Sequence, residues 1–527
     1  MTMKKVLSLA LTIALVVGLF AGVRPASAET KDFFMVLQVG FKQYALNGLP
    51  LTSDVAPEII NGRTFVPVRL IAETYGATVE WIPASRTVTI KLGDVEVNLT
   101  IGSKKAIIGS DTKSLEAAPY IKAGRTMVPV RLISEAFGLS VYYDSQAKTI
   151  SIKSATTGVV PGITGNRILI GSFSVQTGPY AVVGVPFSQG MQSYFDMVND
   201  AGGVNGRKIS LEVVDDQFNP ANTVTVVKKF VTEDKVFAVV GGVGSPDCAA
   251  VVDYLNEQKV PFIYQASGLS SLSIPAKQYV FAVQPNYINE GQVLAKYAST
   301  TLGLKNIAVL YSNDQAGNEW LSGTKQGAAK FGGTIVLESP FPVTETDFTA
   351  YLLKIKASNA DALIFYSSSV ATAGLAVKTA KSLGLTQKIL LSYVAASIAA
   401  TAGADAAEGV YVPGWVDFSD AKNPDVVKFF SIWNKYYPNG NQALYAYACA
   451  GWVAAEVFTE AVRRAGPYPT REALVWALET FDGWSGVLAK DISYSPTAHS
   501  GKYSLFFMQI QKGALVKVSD WISVLKP

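Results

Sequence analysis

The sequence predicts an α/β protein with parallel sheets, preceded by a small α+β module made of two repeats. Three observations carry this expectation. From Arg167 onward, short apolar runs alternate with helical stretches, the pattern of a parallel sheet with crossover helices. NGRTFVPVRLIAETYGATVEW, from Asn61, recurs as AGRTMVPVRLISEAFGLSVYY, from Ala123, at an offset of 62. The stretch VVGGVGSPDCAAVVDYLNEQKVPFIYQASG, from Val239 to Gly268, reads as strand, glycine turn, helix and strand. Val236–Val240 and Val260–Tyr264 are its strands, and Ser245 reads as the helix N-cap with Pro246 at the first helical position. Two strand ends and one helix N-terminus then lie side by side, where open α/β sheets bind ligands. The N–H groups and the helix dipole there favour a small anion such as a carboxylate.

Taken in order, the chain opens with a secretory signal. Lys4 and Lys5 form the charged region, Val6–Phe20 the apolar stretch and Ala26-Ser27-Ala28 the cleavage site, so the mature, extracytoplasmic chain starts at Glu29. It keeps 42 basic against 41 acidic residues, a balance without the electrostatic footprint of a nucleic-acid binder. No cysteine follows the signal, so no lipid anchor is expected. Cys248 and Cys449 either pair or are two buried thiols. His499 is the single histidine, which excludes histidine-based metal clusters and leaves one candidate base for a Ser–His–Asp triad. No paired-carboxylate, metal or nucleophile–base constellation stands out, so neither enzymatic activity nor a cofactor is expected.

Residues 29–153 hold the repeats. Each reads as a strand, a Pro-Val-Arg turn, a short helix (Leu70–Tyr75; Leu132–Phe137), a glycine stop and two strands. A repeat of this kind packs on its copy. Arg69 and Arg131 are placed to pair with Glu73 and Glu135 at i,i+4 spacing. Residues 154–166, SATTGVVPGITGN, form a linker. Beyond it come a strand at Ile168–Ser172, a helix at Val183–Asn199 and a strand at Ile209–Asp215. Asp215 and Asp216 read as solvated or turn-forming, and the helix Ala221–Glu233 leads into the central stretch. A second series runs from Phe281: helix Glu290–Leu302, strand Asn306–Tyr311, helix Glu319–Phe331, strand Thr334–Pro340, helix Asp347–Ala357, strand Ala362–Tyr366, helix Ala371–Leu383 and strand Lys388–Ser392. A helical region follows over Asn423–Ala465, then a helix at Thr470–Thr480 and two final strands.

The repeat motif RT-x-VPVR-LI-x-E-x-x-G closely resembles the copper amine oxidase N-terminal domain, from Val36 to about Lys153. The oxidase site needs several histidines and a tyrosine-derived quinone in a separate domain. The resemblance therefore implies neither copper nor oxidase activity here, but a stalk or wall-interaction module.

Residues 167–527 resemble the type I periplasmic binding proteins of ABC transporters, in the leucine/isoleucine/valine-binding branch. The marks are GSFSVQTGPYA at Gly171, NDAGGVNGRKISLEVVDDQFNPANTV at Asn199, VVGGVGS at Val239, VPFIYQASG at Val260 and AGADAAEGVYV at Ala402. The resemblance implies a two-lobed clamp with three crossovers, near Gln284, near Val412 and near 488–493. Lobe 1 would span about 167–284 and 413–488, and lobe 2 about 285–412 and 493–527.

Carried over position by position, the resemblance puts the ligand carboxylate at Ser245, beside Gly244. It puts a carbonyl and a hydroxyl at Ala266 and Ser267, and Gln176 and Tyr180 at the mouth. On the second lobe it points to Asp314 and Gln315, to Ser368 and Ser369, and to Tyr393. One departure bears on the ligand. The acidic residue that neutralises a ligand ammonium in this family is absent around Val394, where Tyr393-Val394-Ala395 stands, and only Asp314 is offered as a substitute. An unpartnered buried ammonium is very costly. The implied function is an extracytoplasmic solute receptor for a small polar ligand (amino acid, small carboxylate or amide, or an aromatic acid) that closes by hinge motion and serves an ABC permease. The module tethers or spaces it, with the cell wall as a further contact. The alternatives are a sensor subunit for a signalling partner and a wall-associated structural protein.

Overall fold

A computed structural model describes residues 33–47, 49–145, 147–154, 160–438, 445–466 and 469–524. The expected signal at 1–28 and part of the linker lie outside them. The chain divides into two compact units: one centred on residues 53–141, the other holding 159–527 together with 36–52 and 142–151.

In the first unit the two repeat strands, Arg63–Pro67 and Arg125–Pro129, pair antiparallel, with Val66 opposite Val128. Each copy thus packs on the other. Each strand runs through its proline into a helix, Val68–Tyr75 or Val130–Ala136, one turn fragment earlier than the sequence suggests because Val68 and Val130 are already helical. Gly76 ends the first helix at φ 99°, a conformation that glycine takes without a Cβ penalty. Arg69 pairs with Glu73 at 3.4 Å as expected, whereas Glu135 pairs with Lys113 at 3.6 Å.

From residue 167 onward, the second unit holds two sheets with flanking helices, the two lobes. The first sheet is all parallel, in the order Lys208–Val214, Arg167–Phe173, Ala238–Val240, Phe262–Ile263, Val280–Phe281. The second sheet has seven strands. Thr334–Phe341, Asn306–Ser312, Ala362–Tyr366, Lys388–Leu391 and Tyr411–Gly414 are parallel, and Phe506–Gln511 and Ala514–Lys517 continue it antiparallel. The chain leaves the first sheet after Phe281, leaves the second after Gly414 and returns to it before Phe506, giving three crossovers. The first and third run together: Ala282 N–H donates to His499 O at 2.9 Å and Gly501 N–H to Ala282 O at 2.8 Å.

Several expected elements change length. The central strands shrink to Ala238–Val240 and Phe262–Ile263, because only these residues have ladder partners. The long helical region breaks into Pro424–Tyr436 and Tyr445–Ala465. The latter lies against the Ala181–Asp200 helix at glycines. A Cβ on Gly451 would sit 1.9 Å from Phe187 O, and one on Gly190 2.0 Å from Ala448 O. Both cysteines are buried, unpaired thiols. His499 is buried, stacked 3.9 Å from Phe281, with Nδ1 2.8 Å from Lys277 O; it is a structural residue.

Candidate functional site

The C-terminal ends of the first-lobe strands converge on the turn Gly241–Gly244. Gly244, at φ 119°, precedes the Ser245–Glu257 helix. The N-cap is therefore Gly244 and not Ser245, which is the first helical residue and makes no capping bond. This frees the Ser245 hydroxyl, which lies 2.8 Å from Ser267 Oγ and 3.3 Å from Tyr287 Oη. The first-turn N–H groups of the helix have no intrahelical acceptors, so hydroxyls and amides gather at one place.

Around that cluster opens a cleft enclosing about 970 Å³ free of protein atoms, its open mouth included. First-lobe residues Tyr180, Phe218, Gly244, Ser245, Tyr264 and Ala266 line it, as do second-lobe residues Ser368, Tyr393 and Val394 and the crossover residues Gln284, Gly414 and Trp415. Tyr180 and Phe218 stack at 4.1 Å. Two of the rings stand on left-handed backbone, Phe218 at φ 55° and Tyr264 at φ 56°. Such a conformation is uncommon for bulky residues and clusters at functional sites.

The lobes are joined across the cleft. Tyr447 Oη donates to Val394 O at 3.0 Å, Ser270 N–H to Glu319 Oε2 at 2.7 Å, and Gln315 Nε2 to Ser271 Oγ at 2.9 Å. At the first crossover, Gln284 accepts from Tyr264 Oη at 2.8 Å and donates to Tyr393 Oη at 3.1 Å.

Of the sequence-predicted residues, Ser245, Gly244, Ala266, Tyr180, Ser368 and Tyr393 come together at the cleft, with Ser267 bonded to Ser245. Ser368 Oγ is screened from solvent and has no hydrogen-bond partner among the described residues. Gln176 turns to Ser188, 3.1 Å away, and Ser369 caps the Val370–Ser382 helix. Asp314 caps the Gln315–Phe331 helix, accepting from Gly317 N–H at 2.7 Å, and Gln315 serves the contact between lobes. Sequence reasoning missed the aromatic wall of Phe218, Tyr264, Tyr287, Trp415 and Tyr447. Aromatic residues scattered over separate elements leave no local pattern, although the Asn-Pro after Phe218 marks a turn.

Behind the Gly244 turn lies a buried carboxyl pair. Thr223 Oγ is 2.8 Å from Asp216 Oδ2 and 3.0 Å from Asp247 Oδ1. Asp216 is fully buried and not solvated, because Thr223 and the Phe218 N–H enclose it. Burial first, and the Asp216 charge second, push Asp247 up to about 6. A folded value above the unfolded one means that the stability contributed is present below about pH 4 and lost as pH rises through 6. Asp247→Asn is therefore expected to stabilise the chain at pH 8 by about 2 kcal/mol relative to pH 4. Denaturant melts at the two pH values check this; equal effects at both would contradict it.

Among the described residues no three His, Cys, Asp or Glu side chains converge as a metal set, and no helix is long and apolar enough to cross a membrane.

Comparison with known proteins agrees with this geometry. Residues 45–152 match the copper amine oxidase N-terminal domain. The Amino acid binding protein of Pseudomonas aeruginosa is 28% identical over 45% of this chain, which spans 63% of that protein's length. The Leu/Ile/Val-binding protein homolog 1 of Brucella abortus is 25% identical over 66% of this chain and 91% of its own. The structure of a fatty acid ABC transporter substrate-binding protein from Thermomonospora curvata superposes with a TM-score of 0.62 at 22% identity, over 69% of this chain and 94% of its own. Residues 167–514, more than half of the chain, match the model named Periplasmic binding protein, and the chain belongs to that family.

Proposed function

We propose that this protein is the extracytoplasmic solute receptor of an ABC transporter. It captures one small ligand between its lobes and presents the closed form to a permease. The observation that carries this reading is the cleft itself: Ser245, bonded to Ser267, on one lobe and Ser368 on the other line one space. A ligand touching both lobes favours the closed arrangement by its differential contacts alone. The relatives named for amino-acid and fatty-acid binding support a small organic solute bearing a carboxylate. The N-terminal module spaces or tethers the clamp at the cell envelope.

Ser245→Ala removes one hydroxyl donor and leaves its partners Ser267 and Tyr287 facing each other. A screen of carboxylates, amino acids and amides by thermal shift is expected to give one class that raises the melting temperature by several degrees. In Ser245→Ala the affinity for that class is expected to fall about tenfold, which corresponds to roughly 1.4 kcal/mol. An unchanged affinity would remove Ser245 from the site.

A further inference from the structure

We infer that the cleft takes an aromatic monocarboxylate without an α-ammonium group. This rests on the receptor reading above. One end of the cleft offers what a carboxylate needs: the first turn of the Ser245–Glu257 helix, the Ser245 hydroxyl, backed by Ser267, and Tyr287 Oη. The rest of its lining is mainly apolar and rich in rings, with Tyr180 stacked on Phe218 at 4.1 Å and Tyr264 5.9 Å from Trp415, beside aliphatic residues such as Val183 and Met508. Flat apolar walls of this kind suit a planar ring.

Nothing there answers an ammonium. Among the described residues, no charged side chain lines the cleft. Two buried carboxyls lie just behind it, Glu290 engaged through both oxygens and Asp247 through one. Glu290 accepts from Tyr393 N–H at 2.7 Å, Trp320 Nε1 at 2.6 Å and Ser392 Oγ at 3.2 Å. Asp247 shares Thr223 with Asp216; its second oxygen has no hydrogen-bond partner among the described residues, but it lies behind the Gly244 backbone, 2.2 Å from where a Cβ would stand there, and is shielded from solvent. Asp314 is held by Gly317 N–H and the Ser312 hydroxyl. An amino acid would have to strip its ammonium of water without an anionic partner.

The test uses the full chain and matched pairs that differ only in the amino group: 3-phenylpropanoate against phenylalanine, and 4-methylpentanoate against leucine, with 3-phenylpropanamide as the uncharged control. Titration calorimetry is expected to show each acid binding at least about 100-fold more tightly than its amino acid, because a site rejects a polar group it cannot pair. 3-Phenylpropanoate is expected to be the tightest of the five. Phenylalanine or leucine binding more tightly, with that binding lost in Asp247→Asn, would overturn the proposal and make Asp247 the ammonium partner. An amide as good as the acid would overturn the carboxylate. If none of the five binds while native mass spectrometry finds another small molecule on the purified chain, the ligand class is wrong and the receptor reading stands. If no mass is found and none binds, both fail.

Discussion

Glu456→Leu is expected to be among the most destabilising single substitutions in the clamp. The carboxylate is 1% exposed in the middle of the Tyr445–Ala465 helix. Its two oxygens accept three backbone N–H groups of the last crossover: Val487 at 2.6 Å, Leu488 at 3.0 Å and Ala489 at 2.7 Å. Burial raises its pKa, and those three donors work in the opposite direction. Leucine fills the space but leaves the donors unmet, two of them in buried residues. An unmade buried hydrogen bond costs about 1–3 kcal/mol, so the expected loss is roughly 3–5 kcal/mol. Glu456→Gln keeps one acceptor oxygen and should lose about half as much. Denaturant unfolding of both variants checks this, and a loss under about 1 kcal/mol for leucine would show that the crossover is held by other contacts. Because this segment is one of the three passages between lobes, ligand affinity should fall in the same variant.

Glu290→Leu is expected to act on the second lobe in a related way, at a cost of about 3 kcal/mol. Glu290 ties the Tyr287–Lys296 helix to Trp320 of the neighbouring helix and to the turn at Ser392 and Tyr393. Tyr393 lines the cleft, so its loosening reaches the ligand. The pH dependence separates this role from simple packing. Burial pushes Glu290 up to about 8, so the stability it contributes is present at low pH and lost as pH rises through 8. Glu290→Gln, which cannot ionise, should lose that dependence. A wild-type melt that stays flat between pH 6 and 9 would contradict the assignment.

The architecture was legible in the sequence because strand and helix periods differ, and because a 62-residue repeat declares itself. The parallel sheets and the packing of one repeat on the other followed from such local signals, whereas the two-lobed clamp followed from the resemblance to the periplasmic binding proteins. The polar corner of the cleft was legible too, since Gly244, Ser245 and Ser267 lie on turns that the glycine pattern marks. The details that depend on distant partners were not. Asp216 and Asp247 are separated by the Pro220–Thr232 helix, and nothing in the chain announces that Thr223 brings them together. Asp314 reads as a helix cap or as a ligand contact until Gly317 is seen on it. The aromatic lining assembles from both lobes and the second crossover, so no window of sequence contains it.

The most direct measurement is native mass spectrometry of the full chain, purified without ligand exchange, beside Ser245→Ala prepared identically. The receptor reading predicts one small molecule per wild-type chain, released on denaturation, and a reduced bound fraction in the variant. A wild-type chain that carries no small molecule, and that acquires none at millimolar carboxylate or amino acid, would contradict it.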